Sequence, residues 1–356
     1  MRRTYTILTL SPLVALFCIT WLSGDAEKVE RHYSGGIYPV ISGWLRSFFA
    51  VFPVSVGDLI YGILILLMVV MAVRTGVGLI TGRFNRRVFF ARVRWLLPLL
   101  LLVYLLFTLF WGINYRRSGL ASQLGLDTSL ISHREIYEVD CLLLDRVNRL
   151  RSEVDTMAFR SRQELFQKAY AAYDSVSLRY PFLKADAPLL RSSLWSPLGD
   201  YLGFMGYYNP FTGEAQVNTG IPDFLLPYTA CHELAHQLGY AKENEANMAG
   251  YLAAASSTDP RFLYSVYLDL FLYVNRDLHQ MDSTEARRMS ALLSDQVKGD
   301  LRRWRVYSGK QDNRISAWVG RAYENYLRSH GQPRGLKTYS EVSRFVIAYR
   351  RKFGSI

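Results

Sequence analysis

The chain has 356 residues, half of them hydrophobic and 14% aromatic, which implies that part of it lies in lipid. A net charge of +12 would suit nucleic acid, but no nucleic-acid motif accompanies the basic stretches. Three cysteines (Cys18, Cys141 and Cys231) do not make a disulfide framework.

In chain order, residues 4–24 carry no charge, follow Arg2-Arg3 and are long enough to span a bilayer. The rival reading is a cleaved signal peptide ending near Gly24-Asp25-Ala26. The aromatic stretch from Trp44 to Phe52 reads as interfacial, with Arg46 snorkelling, or else as a short helix packed on a soluble domain. Second and third spans are predicted at about 56–78 and 95–115, Pro98 falling in a first turn where proline is tolerated. Between them lie Arg83, Arg86, Arg87, Arg92 and Arg94, with Arg74 upstream. Short basic loops stay in the cytoplasm, so everything after residue 115 is expected outside it, although Arg116 and Arg117 run against that. The expected location is a bacterial inner membrane, with the bilayer as partner.

Residues 132–154 and 161–179 show amphipathic helical spacing, with His133 on a solvated face. Residues 202–208 and 214–218 then read as strand, turn, strand. The second strand, Glu214, Ala215, Gln216, Val217 and Asn218, is the candidate for aligning an extended substrate by edge pairing; the bland alternative is a hairpin that only covers the next helix. Thr229 is a possible cap for that helix.

The helix holds His232-Glu233-Leu234-Ala235-His236, an HExxH pattern. Positions four apart share a helical face, so both imidazoles reach one metal while Glu233 stays near a water on it. Cys231, one position off that face, reads as a packed core thiol. Catalytic zinc takes three protein ligands and keeps one position open, so a third ligand must come from elsewhere. Gly239 is a plausible helix stop, and a second helical run opens at Glu243. Glu243 and Asn247 share a face, whereas Glu245 points roughly 160° away. The expected set is therefore His232, His236 and Glu243 on zinc, Glu233 as base and Asn247 holding a ligand imidazole, with Glu245 the alternative ligand. Ala246, Gly250 and Ala254 recur every four residues, which lets this second helix pack closely on a neighbour.

The Glu-x-x-Ala-Asn element (243–247) resembles that of the gluzincin metallopeptidases, both a membrane-embedded CAAX-prenyl-protease-like group and a soluble one. The resemblance implies zinc ligation by Glu243, although only six residues separate it from His236, fewer than those groups usually have. Residues 209–218, Ile-Pro-Asp (221–223) and the HExxH run, with Tyr-Pro-Val-Ile-Ser (38–42) and Gly-Gln-Pro-Arg-Gly (331–335), resemble an uncharacterised bacterial membrane-protein family that brings no established substrate.

Residues 260–280 are very apolar but interrupted by Arg261 and Asp269, which favours a buried helix over a fourth crossing. Residues 283–306, 313–330 and 340–352 complete a helical layer, and residues 301–356 carry thirteen Lys/Arg against three acids. That surface could attract anionic headgroups or cell-wall polymers; a plain solvated face is the default. Candidates for an oxyanion stabiliser are His279, His330, Tyr326 and Tyr339.

Together these predict a mainly α membrane protein. Three helices in residues 1–115 anchor an α-rich, zincin-like domain with a small β-hairpin, residues 116–356, on the extracytoplasmic side. The expected activity is hydrolysis of peptide bonds by Glu-assisted attack of zinc-bound water. The alternatives are an inactive zincin-fold module of the cell envelope and a zinc amidase acting on cell-wall material.

Overall fold

The structure, a computed structural model, describes residues 2–83, 85–332 and 341–356, with side chains from residue 8 onward. It divides into two compact units: the chain up to Arg117 together with Asn209–Gly213, and the rest.

The first unit begins with helix α1 (Arg2–Leu22), the single turn α2 (Ala26–Lys28) capped by Asp25, and a π-helical stretch, Val29–Ile37, that runs into α3 (Tyr38–Phe49). Two long apolar helices follow, α4 (Val56–Ile80) and α5 (Arg86–Phe110). Both are long and apolar enough to cross a membrane. The apolar part of α1 and the segment Ala26–Phe49 are bent by 102°, and they add a third crossing only if taken together as one broken span. Ser55 starts α4 by accepting from the Asp58 amide. Asn85 starts α5 by accepting from the Arg87 and Val88 amides. That cap begins the helix nine residues before the predicted third span and puts Arg86, Arg87, Arg92 and Arg94 within it. Phe110 ends it, because Trp111 leaves helical geometry.

The stretch after α1 is tied to the end of α5. Glu30 and Arg117 form an ion pair at 2.6 Å, the Tyr33 hydroxyl donates to Leu109 O, and Ser34 bonds Asn114. Helix α3 exposes Trp44 and Phe48 and turns Tyr38, Ser42 and Arg46 inward. Arg46 is thus buried rather than snorkelling, and its stem packs on the Asn209–Gly213 turn. A Cβ at Gly213 would meet Arg46 Cγ at 3.1 Å.

The second unit opens with α6 (Leu120–Leu124), α7 (His133–Ser152) and α8 (Arg162–Arg179). Helix α7 starts with a capping box between Ser132 and Glu135. Then come β1 (Leu190–Ser192), α9 (Ser196–Leu202), β2 (Gly206–Asn209) and β3 (Glu214–Val217). The sheet order is β1-β3-β2, with β1 parallel to β3. Two expectations change here. Leu202 ends a helix instead of opening a strand, because Pro197 in the first turn and left-handed Gly203 bracket α9. And β3 is the central strand, paired on both sides and buried throughout, so Glu214–Val217 cannot add a substrate by edge pairing; Asn218, just past it, is also buried and bonds Asp200.

Helices α10 (Leu226–Gln237), α11 (Glu243–Ala255) and α12 (Pro260–Met281) form the centre of this unit. Asp259 caps α12, with Pro260 at its first position. Its Phe262, Tyr264, Val266, Leu268 and Phe271 are buried in the core shared with α7, so residues 260–280 are an interior helix of this unit. Helices α13 (Ser283–Ala291), α14 (Asp295–Ser308), α15 (Arg314–Ser329) and α16 (Glu341–Phe353) complete the layer. The predicted helix at 283–306 is two helices, because Ser294 caps a new start.

Candidate metal centre

Leu225, not Thr229, precedes the first turn of α10; the Thr229 hydroxyl lies inside the helix and donates to Leu225 O. The helix ends where Gly239 turns left-handed, at φ +85°. The Tyr240 amide then reaches back to Ala235 O at 3.1 Å and the Gly239 amide to His236 O at 2.9 Å. This tight stop lets α11 begin at Glu243 and fold back onto α10. The contact is close, since a Cβ at Gly250 would lie 3.0 Å from the His232 backbone nitrogen.

The fold-back aims three donors at one point. Glu243 Oε2 is 3.3 Å from His232 Nε2 and 3.7 Å from His236 Nε2. The three residues are the His/Cys/Asp/Glu group able to hold a metal ion among the described residues, with one donor atom of each within 4.8 Å of the others. Ligands about 2.0–2.1 Å from a tetrahedral zinc stand roughly 3.3 Å apart, so two of these separations fit that ion with small adjustment. The His236 ring is fixed by donation from Nδ1 to Tyr240 O at 2.8 Å, which leaves Nε2 for the shared point. Burial opposes charge on His236, yet the facing Glu243 carboxylate outweighs it and raises the imidazole pKa to about 9. For the same reason Glu243 is held well below the usual carboxylate range despite its own burial.

Glu243 is gripped from a side the sequence did not reveal. The Tyr323 hydroxyl on α15 donates to Glu243 Oε1 at 2.5 Å, while Oε2 faces the imidazoles. The α11 N-terminus lacks a side-chain cap of its own, and Gln332 Oε1 accepts from the Glu243 amide at 3.2 Å. One carboxylate is thereby fixed at both its backbone and its outer oxygen. Tyr326 stacks on Tyr323, and His330 lies against Tyr326 with ring centres 4.3 Å apart. Of the oxyanion candidates, Tyr326 thus sits on α15 and His330 just past its end, although it is Tyr323 that reaches Glu243. His279 is exposed near the end of α12, and Tyr339 lies outside the described residues.

Glu233 is buried on α10 beside the donors, and its Oε2 has no hydrogen-bond partner among the described residues. Burial pushes its carboxyl up to about 7, against the pull of His232 and His236, while Glu243 adds to the rise. Its other oxygen faces the edge strand: a Cβ at Gly206 would lie 2.4 Å from Glu233 Oε1. Only a glycine there leaves room for the carboxylate.

Asn247 departs from its expected part: its Oδ1 and backbone carbonyl both accept from the Tyr228 hydroxyl. His232 Nδ1 is buried with no hydrogen-bond partner among the described residues. On α12, burial raises the Asp269 carboxyl to about 7 against the pull of His232. Glu245 turns away from the donors toward Lys242, 3.3 Å away, and packs under Gly119, where a Cβ would lie 2.1 Å from its Oε1. Cys231 is a core residue, its thiol pushed up by burial.

The second unit is thus a mainly helical body with one His-His-Glu donor cluster and an adjoining buried carboxylate, in a chain with two or three helices apolar enough to span a membrane. The chain belongs to a protein family of unknown function, DUF3810, whose model matches residues 33–347. No curated protein and no solved structure matches it.

Proposed function

We propose that the protein is a membrane-tethered zinc hydrolase, acting on peptide bonds at the extracytoplasmic face. The observation that supports this best is the pairing of a three-donor cluster with a separate, unpartnered carboxylate. A structural zinc site is closed by four ligands and has no use for a buried base; here Glu233 stands beside the donors without joining them. His232, His236 and Glu243 would hold the ion, which when bound would supply Lewis-acid activation of water and of a carbonyl.

The remaining work falls to the chain's own groups. Glu233 takes a proton from the attacking water and returns it to the leaving amine. Tyr323 keeps one Glu243 oxygen occupied, so that the other faces the donor point. An extended substrate is directed to β2, the end strand whose Gly206 adjoins Glu233, instead of the central β3.

The test is zinc content and peptide hydrolysis of the full-length protein in detergent. Parent protein should carry one zinc, Glu233→Gln should keep it and lose hydrolysis, and Glu243→Ala should lose both. A metal-free parent, or a Glu233→Gln variant as active as the parent, would overturn the reading. The orientation is read from the arginines at 83–94. Alkaline phosphatase fused at residue 125 and after residue 356 should be active, and fused near residue 88 inactive.

A further inference from the structure

Helix α15 is amphipathic, yet its apolar stripe is left outside. Among its residues only Leu327 is buried, while Ile315 is 55% and Trp318 65% exposed. At about 100° per residue Ile315, Trp318 and Ala322 fall on one side of the helix. Arg314, Arg321 and Arg328 recur every seven residues and form a row along the edge of that side. Arg328 is paired with Glu324 at 2.6 Å, whereas Arg314 and Arg321 have no acidic partner among the described residues. The opposite side does the packing. The Ser316 hydroxyl donates to Leu202 O, Asn313 Nδ2 donates to Tyr201 O, and Leu327 closes the contact.

A soluble helix normally buries such a stripe, and an exposed one marks an interaction surface. We propose that the Ile315–Trp318–Ala322 face of α15 seats in the headgroup region of an anionic bilayer. Three observations select that occupant. Tryptophan beside arginine is the composition of the membrane interface, where the ring sits among headgroups and the guanidinium meets phosphate. Arg314 and Arg321 supply positive charge that an anionic surface complements. And the same chain carries apolar helices long enough to span a bilayer, so the second unit meets a bilayer at high effective concentration. This seating does not depend on the metal reading. It adds a lipid contact to the Tyr323 bond and to the packing of the opposite side.

The experiment uses the full-length protein in nanodiscs holding one protomer each, with Cys18 and Cys141 replaced by alanine. An environment-sensitive fluorophore is attached through Trp318→Cys, through Ile315→Cys or, on the far side of the helix, through Ala317→Cys. Discs of phosphatidylcholine alone are compared with discs containing phosphatidylglycerol. Seating predicts blue-shifted emission at 315 and 318 in the anionic discs, quenched by shallow spin-labelled lipids, with residue 317 remaining water-like. Arg314→Gln and Arg321→Gln should each lower the seated-to-unseated ratio about fivefold. Ile315→Cys gives a second reading should the Trp318 variant unfold, and circular dichroism identifies an unfolded one. Water-like emission at 315 and 318 in both lipids overturns the proposal. So does a shift indifferent to lipid charge and to both arginines. A shift that appears only when several protomers share a membrane overturns it in favour of a second copy of the chain.

Discussion

Gly250 and His232 lie backbone to backbone: a Cβ on the glycine would come within 3.0 Å of the histidine's amide nitrogen and 3.1 Å of its Cα. Neither atom belongs to a flexible side chain that could swing aside. The contact brings the α11 carboxylate Glu243 to the two imidazoles of α10, so the packing of the helices sets the spacing of the three donors. Gly250→Ala must therefore push the helices apart by a few tenths of an ångström. The expected cost is about 1–3 kcal/mol of stability, typical of overpacking a filled core. Zinc affinity should fall with it, and a metal-competition titration beside a thermal melt of the metal-free protein would read both. An unchanged zinc affinity would show that the donors tolerate the shift.

The hydroxyl of Tyr323 occupies one Glu243 oxygen and leaves the other to face the imidazoles. Tyr323→Phe removes that hydroxyl and keeps the ring that stacks on Tyr326. Zinc affinity should weaken about 10–100-fold, the usual cost of losing a partner to a ligand. In cobalt-substituted protein the visible spectrum should change as well, since both carboxylate oxygens become available. A spectrum identical to the parent's would argue that Glu243 needs no such restraint.

Much of this centre was legible because helical spacing is rigid. HExxH at four-residue spacing and the shared face of Glu243 and the small residues follow from 3.6 residues per turn, and the stop follows from glycine's access to the left-handed region at Gly239. In the structure His232, His236 and Glu243 come together. Asn247 shares the face too, but its side-chain oxygen is taken by Tyr228, a partner 19 residues away that spacing does not reveal. Tyr323 and Gln332 come to Glu243 from 80 and 89 residues away, and only tertiary packing brings them. The signal for them was weak: Tyr323, Tyr326 and His330 recur at three- and four-residue steps on one helix. The sheet is less legible for a related reason. The strand β1 is three residues long between prolines, too short to show alternation, and without it β3 passes for an edge.

Glu243 and Glu245 sit two residues apart and have separate surroundings, which gives a clean contrast. Glu243→Ala should strip the metal, whereas Glu245→Ala should leave zinc affinity within a factor of a few, because Glu245 pairs with Lys242 and packs under Gly119. Zinc content by elemental analysis decides it. Loss of metal from the Glu245 variant alone would mean that α11 is rotated about half a turn from the structure described.

Gly206 offers a test of the base proposed at Glu233 without touching the donors. A methyl group there would press on Glu233 Oε1 at 2.4 Å and on the Gln216 carbonyl at 2.7 Å, so the carboxylate has to move. Displacing a catalytic group by about 1 Å can cost on the order of 100-fold in rate. Gly206→Ala should therefore lose hydrolysis on that scale while keeping its zinc. Parent-like activity would show that the carboxylate works from another position.

Asp140 carries a pH dependence that belongs to the fold rather than to the site. It is buried on α7, where its Oδ2 accepts from Asn275 Nδ2 at 3.1 Å and its Oδ1 has no partner. Burial raises its carboxyl to about 7, and the Asn275 bond only partly offsets that. The unfolded chain ionises an aspartate near 3.9. Between those values the native state keeps a proton that the unfolded state has released, so native protein binds more protons and its stability falls as pH rises. The loss begins above about pH 4 and is complete once pH exceeds about 7, with a slope of at most about 1.4 kcal/mol per pH unit in between. Asp140→Asn keeps an oxygen for Asn275 and removes the ionisation. It should therefore gain melting temperature over the parent at pH 8, and the gain should shrink steadily as the pH falls toward 4. Melts of both proteins across that range read the difference directly, and parallel curves would mean that Asp140 ionises in the folded protein as readily as in the unfolded one.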